Sequence, residues 1–229
     1  MTNSYGPSIV RDGLVLCLDA ADRLSYPRSG STWYDLSGNG NHGTFGASTA
    51  APTFSSANVG CLNFDGSDDY INCGKVLNGP NQVSVEVSVK NPNGGVLVTK
   101  GYTVFEYRVG LTEFYGYNGS NGGWWPWGDV YSDTHNVDIT TWNTFTYVCD
   151  YVNNYIKLYA NGIFKHQRTN AGLDSNYPTY DYDLLIGKRV ENSSGYLSAQ
   201  ISHVRVYDKV LSASEVQQNY EATKGRFFL

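Results

Sequence analysis

Gly60-Cys-Leu-Asn-Phe-Asp-Gly-Ser-Asp-Asp-Tyr-Ile-Asn72 is the stretch on which the fold turns. Leu62-Asn63-Phe64 alternates apolar and polar residues, the two-residue period of a strand with one dry face. Asp65-Gly66 then supplies a turn pair tolerant of positive φ, and Asp68-Asp69-Tyr70-Ile71 resumes the chain beyond it. A strand, a corner and a second strand are thus predicted in quick succession. Asp65, Asp68 and Asp69 crowd the corner, and carboxylates this close repel unless solvent, backbone amides or a cation relieves them.

Working outward, the same grammar continues. Gly13-Leu-Val-Leu-Cys-Leu-Asp19 reads as a covered strand, and Ser25 to Gly46 as a long ordered loop rich in Gly, Ser and Asn. Val83, Val85, Val87 and Val89 alternate with Ser84, Glu86, Ser88 and Lys90, which predicts a strand with one face in solvent. Strands follow at Val96–Thr99, Thr103–Val109 and Leu111–Tyr117, before a Gly/Asn-rich loop, Asn118–Gly128, that carries Trp124, Trp125 and Trp127. Trp142–Tyr151 alternates again, and Asn161-Gly162 after Tyr155–Ala160 is a strong hairpin signal because both residues accept positive φ. Leu197–Tyr207 supplies the last strand, its apolar phase slipping between Ile201 and Val204 as a bulge would cause. The convincing helix starts at Ser212, with Glu215 completing a capping box.

Composition agrees. In 229 residues there are 25 Gly and 19 Tyr with only 16% charged residues, which favours strands and tight turns over long helices. The sequence predicts one all-β domain, residues 13–223, with an arm at 1–12 and a tail at 224–229. A net charge of −5 supplies no basic stripe for nucleic acid, and no apolar run is long enough to cross a membrane as a helix. The start, Met1 to Pro7, has neither the basic residues nor the apolar core of a secretory signal. The protein is thus expected to work where it is made, or to leave the cell inside a particle. Cys17, Cys61, Cys73 and Cys149 read as buried free thiols, with a Cys61–Cys73 disulfide across the corner as the alternative.

Phe64-Asp-Gly-Ser-Asp-Asp-Tyr-Ile71 resembles the signature of laminin-G-like, or concanavalin A-like, jelly-roll domains. Trp33-Tyr-Asp-Leu-Ser-Gly-Asn-Gly-Asn-His-Gly43, Tyr155–Gly162, Leu185–Lys188, Ile201–Tyr207 and Leu211–Glu215 are similar to further family segments, in the family's order. The resemblance implies a two-sheet antiparallel jelly-roll sandwich with one short C-terminal helix. Its rim loops would bind ligands, commonly glycans and sometimes with calcium. The opening Asp12–Ala20 and the closing Leu211–Arg226 are most similar to laminin-G-like proteins of tailed-phage virions.

Several residues carry candidate chemistry. Asp35, Asn39 and Asn41 set side-chain oxygens around flexible glycines, a pattern suited either to calcium or to holding the turns themselves. The family's acid before the final Val-x-Val strand is replaced here by Ser202, which weakens the metal reading. Trp124, Trp125 and Trp127, with Tyr117, are candidate ligand contacts: stacking on sugars, anchoring another subunit, or plugging one end of the core. Enzymatic chemistry is not expected. Glu86 stands alone on its strand, and Asp181 and Asp183 read as solvated turn acids. His42, His135, His166 and His203 lack metal-ligand spacing. The expectation is a non-enzymatic phage virion component, a capsid-decoration or tail-associated module. It would be a homo-oligomer that contacts other virion proteins and host-surface glycans. The alternative is a cellular or secreted carbohydrate-binding module.

Overall fold

The computed structural model describes residues 7–57, 60–77, 79, 81–100, 106–109, 113–117, 132–133, 137–169, 181–189 and 195–227. Its strands begin with β1 (Leu14–Asp19), β2 (Thr32–Trp33), β3 (Gly43–Phe45), β4 (Thr53–Ser55), β5 (Cys61–Asp65) and β6 (Ile71–Asn72). The long β7 (Gln82–Asn93) leads to β8 (Val96–Thr99), β9 (Glu106–Val109), β10 (Glu113–Tyr117) and β11 (Ser132–Asp133). Last come β12 (Asn143–Asp150), β13 (Tyr155–Ala160), β14 (Ile163–Thr169), β15 (Leu185–Ile186), β16 (Ser198–Tyr207) and the helix α1 (Ala213–Thr223). One sheet runs β14-β13-β12-β7-β16-β5-β4 with β1 also beside β16, and the other β11-β10-β9-β8-β15-β6-β3-β2. All the pairings are antiparallel, giving the expected sandwich with one short C-terminal helix.

The Asp65-Gly66 corner is where the chain crosses between sheets, since β5 belongs to the first and β6 to the second. Gly66 sits at φ +84, a conformation L side chains rarely adopt. The acids hold the turn through backbone amides: Asp69 Oδ2 accepts from Asp65 N at 2.8 Å, and Asp65 Oδ1 from Ser67 N at 2.8 Å. Asn161 and Gly162 both take positive φ between β13 and β14, as the hairpin reading required. Ser212 Oγ accepts from Glu215 N while Glu215 Oε2 accepts from Ser212 N, which closes the capping box.

The core lies between the sheets. Val83, Val85, Val87 and Val89 of β7 and Ile201, Val204 and Val206 of β16 pack there with Ile71, Val98 and Ile186 of the second sheet. The register of β16 against β7 shifts between Ile201 and His203, so the inward phase changes at the expected bulge. All four thiols are free and buried, and burial raises that of Cys61 and pushes that of Cys149 up to about 12.

The second face of β7 departs from expectation. Ser84, Glu86 and Ser88 are as dry as the valines, at 0% exposure. Alternation reports that this face is polar; it cannot report that distant chain covers it. Val216 of α1 packs with Leu14, Cys17, Val148 and Tyr207 over part of that face. Beyond the helix, Phe227 stacks on Trp142 with ring centroids 4.9 Å apart, and Arg226 pairs with Asp19. Beneath them Glu86 pairs with Arg205 of β16, and His203 Nε2 lies 3.6 Å from the same carboxylate and 3.1 Å from Ser88 Oγ. Burial alone would raise the Glu86 carboxyl, but the Arg205 and His203 neighbours hold it below the usual range.

Burial, then the Arg205 charge, push the His203 imidazole down to about 4. Unfolded, that imidazole titrates near about 6.5, so between these values the unfolded chain binds a proton that the folded chain does not. Stability should therefore fall as pH drops through that window. Urea midpoints measured from about pH 7 to about pH 4.5 should decline, and His203→Gln should flatten the slope over the range set by the imidazole's ordinary titration. Equal slopes in the two proteins would refute the assignment.

Candidate functional site

The loop between β2 and β3 is tied down by one carboxylate. Asp35 Oδ1 accepts from Cys17 N and Ser37 N, each at 2.8 Å, and Oδ2 accepts from Ser37 Oγ at 2.7 Å and Asn41 N at 3.1 Å. Asn39 Nδ2 donates to Leu14 O at 3.1 Å, and Asn41 Nδ2 to Val15 O at 2.8 Å. Gly38 and Gly40 take positive φ at 95° and 74°, which lets the loop fold back on itself. The three residues of the calcium expectation are thus brought together, with the Asp35 oxygens accepting from the chain itself and the two asparagine amides donating to backbone carbonyls. At the other acidic site, carboxylate oxygens of Asp65, Asp68 and Asp69 lie within 4.8 Å of one another. Burial raises the Asp69 carboxyl there, and its two acidic neighbours add to the effect.

Trp124, Trp125 and Trp127 lie outside the described residues. Tyr117 ends β10, where its backbone registers with Glu106 of β9, which in turn registers with Thr99 of β8.

Pairing also aligns Thr32, Thr44, Asn72, Leu185 and Thr99 across the second sheet. Their strand neighbours Phe45, Ile71, Ile186 and Val98 point into the core, so this row faces outward. An open cavity of about 520 Å3 lies against it, lined among others by Asn41, His42, Thr44, Tyr70, Asn72 and Asp183. Asn72 Nδ2 donates to Asp183 Oδ2 at 2.9 Å, and Lys75 Nζ lies 3.2 Å from Asp183 Oδ1. Those two partners hold the Asp183 carboxyl below the usual range, the Asn72 hydrogen bond most of all. At the margins, the Lys188 ammonium sits 4.3 Å from the Tyr70 ring centre, and Tyr34 meets His42 edge-on at 5.3 Å. Of the described residues lining the cavity, Asp183 is the one carboxylate.

The sequence reading missed this constellation. Its one local signal is Asn72, a polar residue between buried Ile71 and Cys73 in a strand. Asp183, read as a solvated turn acid, is placed beside it by the β6–β15 pairing. Chemically, the cavity offers an ionised carboxylate, two amides, a hydroxyl, an imidazole and a tyrosine. That set suits a ligand with many hydroxyls and intervening C–H surface.

A family model described as the concanavalin A-like lectin/glucanases superfamily matches residues 65–217. No curated protein matches the chain significantly. Among solved structures, domain 4 of AbnA, an extracellular GH43 arabinanase from Geobacillus stearothermophilus in complex with arabinotriose, is similar at 18% identity and TM-score 0.65. That match covers 90% of this chain and 98% of the domain. The botulinum neurotoxin serotype D ligand-binding domain in complex with N-acetylneuraminic acid matches at 16% identity and TM-score 0.66, over 93% of this chain and 52% of that one. The binding domain of Paraclostridial Mosquitocidal Protein 1 matches at 14% identity and TM-score 0.66, over 92% and 52%. The chain therefore spans about half the length of the toxin domains and nearly all of the arabinanase domain. At these identities the likenesses show the fold alone.

Asp35→Ala should cost about 1–3 kcal/mol of stability, because the buried Cys17 amide loses its acceptor. Thermal melts in EDTA and in calcium should show the same loss. A melting point that rises with calcium only in the parent protein would assign the loop to a cation instead.

Proposed function

The chain belongs to the concanavalin A-like lectin/glucanases superfamily, and we propose that it acts as a carbohydrate-binding, lectin-like module. Its ligand sits in the cavity on the outward face of the second sheet. The observation that carries this reading is the lining itself: Asn41, Asn72 and Asp183 for hydroxyls, with Tyr70 and His42 for C–H faces. Similar folds hold arabinotriose and N-acetylneuraminic acid, which supports sugar as the ligand class. Binding proceeds without catalysis, since glycoside hydrolysis generally needs two carboxyl groups flanking one bond. Asp183 is the one carboxylate among the described residues lining the cavity, and Glu86 is buried against Arg205 under the other sheet.

A second, finer reading places the module on a phage particle, on capsid or tail. It rests on the resemblance of Leu211–Arg226 to virion proteins. Mass spectrometry of purified particles should then detect the chain alongside coat or tail proteins.

A glycan array probed with the purified protein should return specific binders. Asn72→Ala should weaken them about tenfold or more, because it removes a hydroxyl partner and releases Asp183. An array without binders would sink the lectin reading.

A further inference from the structure

A second cavity, of about 400 Å3, adjoins the first, and its lining includes Val15, Val76, Leu77, Asn39, Lys75 and Asp208. Asn41 lines both cavities. Two segments of chain run from one to the other. His42 borders the first and Asn39 the second; Cys73 and Gly74 border the first, and Lys75 to Leu77 the second. The Lys75–Asp183 pair, 3.2 Å apart, ties a residue of the second cavity to a residue of the first.

From this geometry we infer that the two cavities form one channel for a neutral oligosaccharide of at least two units, with Asn41 lying between consecutive rings. The inference rests on the carbohydrate reading and specifies its ligand class. Length sets the scale: residues 72 to 77 reach at most roughly 17 Å at full extension, so the channel takes a few units. The wall between the subsites is fixed in advance. Asp35 receives Asn41 N and Val15 O receives Asn41 Nδ2, which leaves Asn41 Oδ1 for a ligand hydroxyl. Preorganised walls of this kind lower the ordering cost of binding. In the second cavity partly buried Val15 offers apolar surface for the C–H face of a ring, Val76 and Leu77 back it from the core, and Asn39, Lys75 and Asp208 supply polar groups for its hydroxyls.

Charge selects against acidic sugars. The Lys75 ammonium, the one ammonium or guanidinium among the described residues lining the two cavities, is already shared between Asp181 at 3.3 Å and Asp183 at 3.2 Å. Asp183 lines the first cavity and Asp208 the second, and both would repel a ligand carboxylate.

The test is calorimetric titration of the full chain with mono-, di- and trisaccharides of arabinose, glucose, galactose and mannose, and with N-acetylneuraminic acid. In at least one neutral series, affinity should rise roughly tenfold or more from monosaccharide to trisaccharide, as an added set of hydrogen bonds allows. Asp208→Ala changes an exposed side chain of the second cavity and should return the trisaccharide to near monosaccharide affinity. Equal affinities along every series that binds, or tighter binding of N-acetylneuraminic acid than of any neutral trisaccharide, would overturn the two-subsite channel and leave the lectin reading standing. Silence from every sugar would overturn both.

Discussion

Glu86 of β7 and Arg205 of β16 meet between the two central strands of the first sheet, at 0% and 2% exposure. Removing either partner would leave a charge in a dry place, at a cost of about 3–5 kcal/mol. Neither can reach water while α1 and the segment through Phe227 stay docked, so the outer layer and the ion pair depend on one another. His203, Ser88 and Thr144 extend the polar row, with Ser88 and Thr144 hydroxyls 2.6 Å apart. The first sheet thus has two dry faces, one held by valines and the other by paired charge.

The second sheet is built differently, and its outward face stays accessible at Thr44. Apolar packing on one side fixes the strands; on the other, Thr99 and Leu185 are covered while Thr44 and Asn72 border the cavity. Beside it, Asp35 binds its own loop through three hydrogen bonds and β1 through a fourth. A loop so thoroughly tied offers a ligand a shaped wall, which suits recognition of small, well-solvated molecules that give little apolar area to bury.

How much of this was legible depends on range. The valine alternation, the Asp65-Gly66 corner, the Asn161-Gly162 hairpin and the Ser212 capping box are set by residues within a few positions of one another, and each is where the reading put it. The drying of Ser84, Glu86 and Ser88 was not legible, because their cover arrives from residues more than a hundred positions later. The cavity was hidden for the same reason: Thr44, Asn72 and Asp183 share a surface only after β3, β6 and β15 align. Asp35, Asn39 and Asn41 were found as a cluster, but residue types could not reveal that Asp35 accepts from Cys17, Ser37 and Asn41 while the two asparagine amides donate to Leu14 and Val15.

The place of β16 bears on how the chain reaches this state. It pairs β7 on one side and both β5 and β1 on the other, setting Leu14 opposite Tyr207. A chain emerging during synthesis therefore holds β1, β5 and β7 with open edges until Ser198–Tyr207 is made. Closure is a late event that joins the most distant parts of the chain, the regime of slow folding and exposed, sticky intermediates. The strand that completes the first sheet is also the one that waits longest to appear.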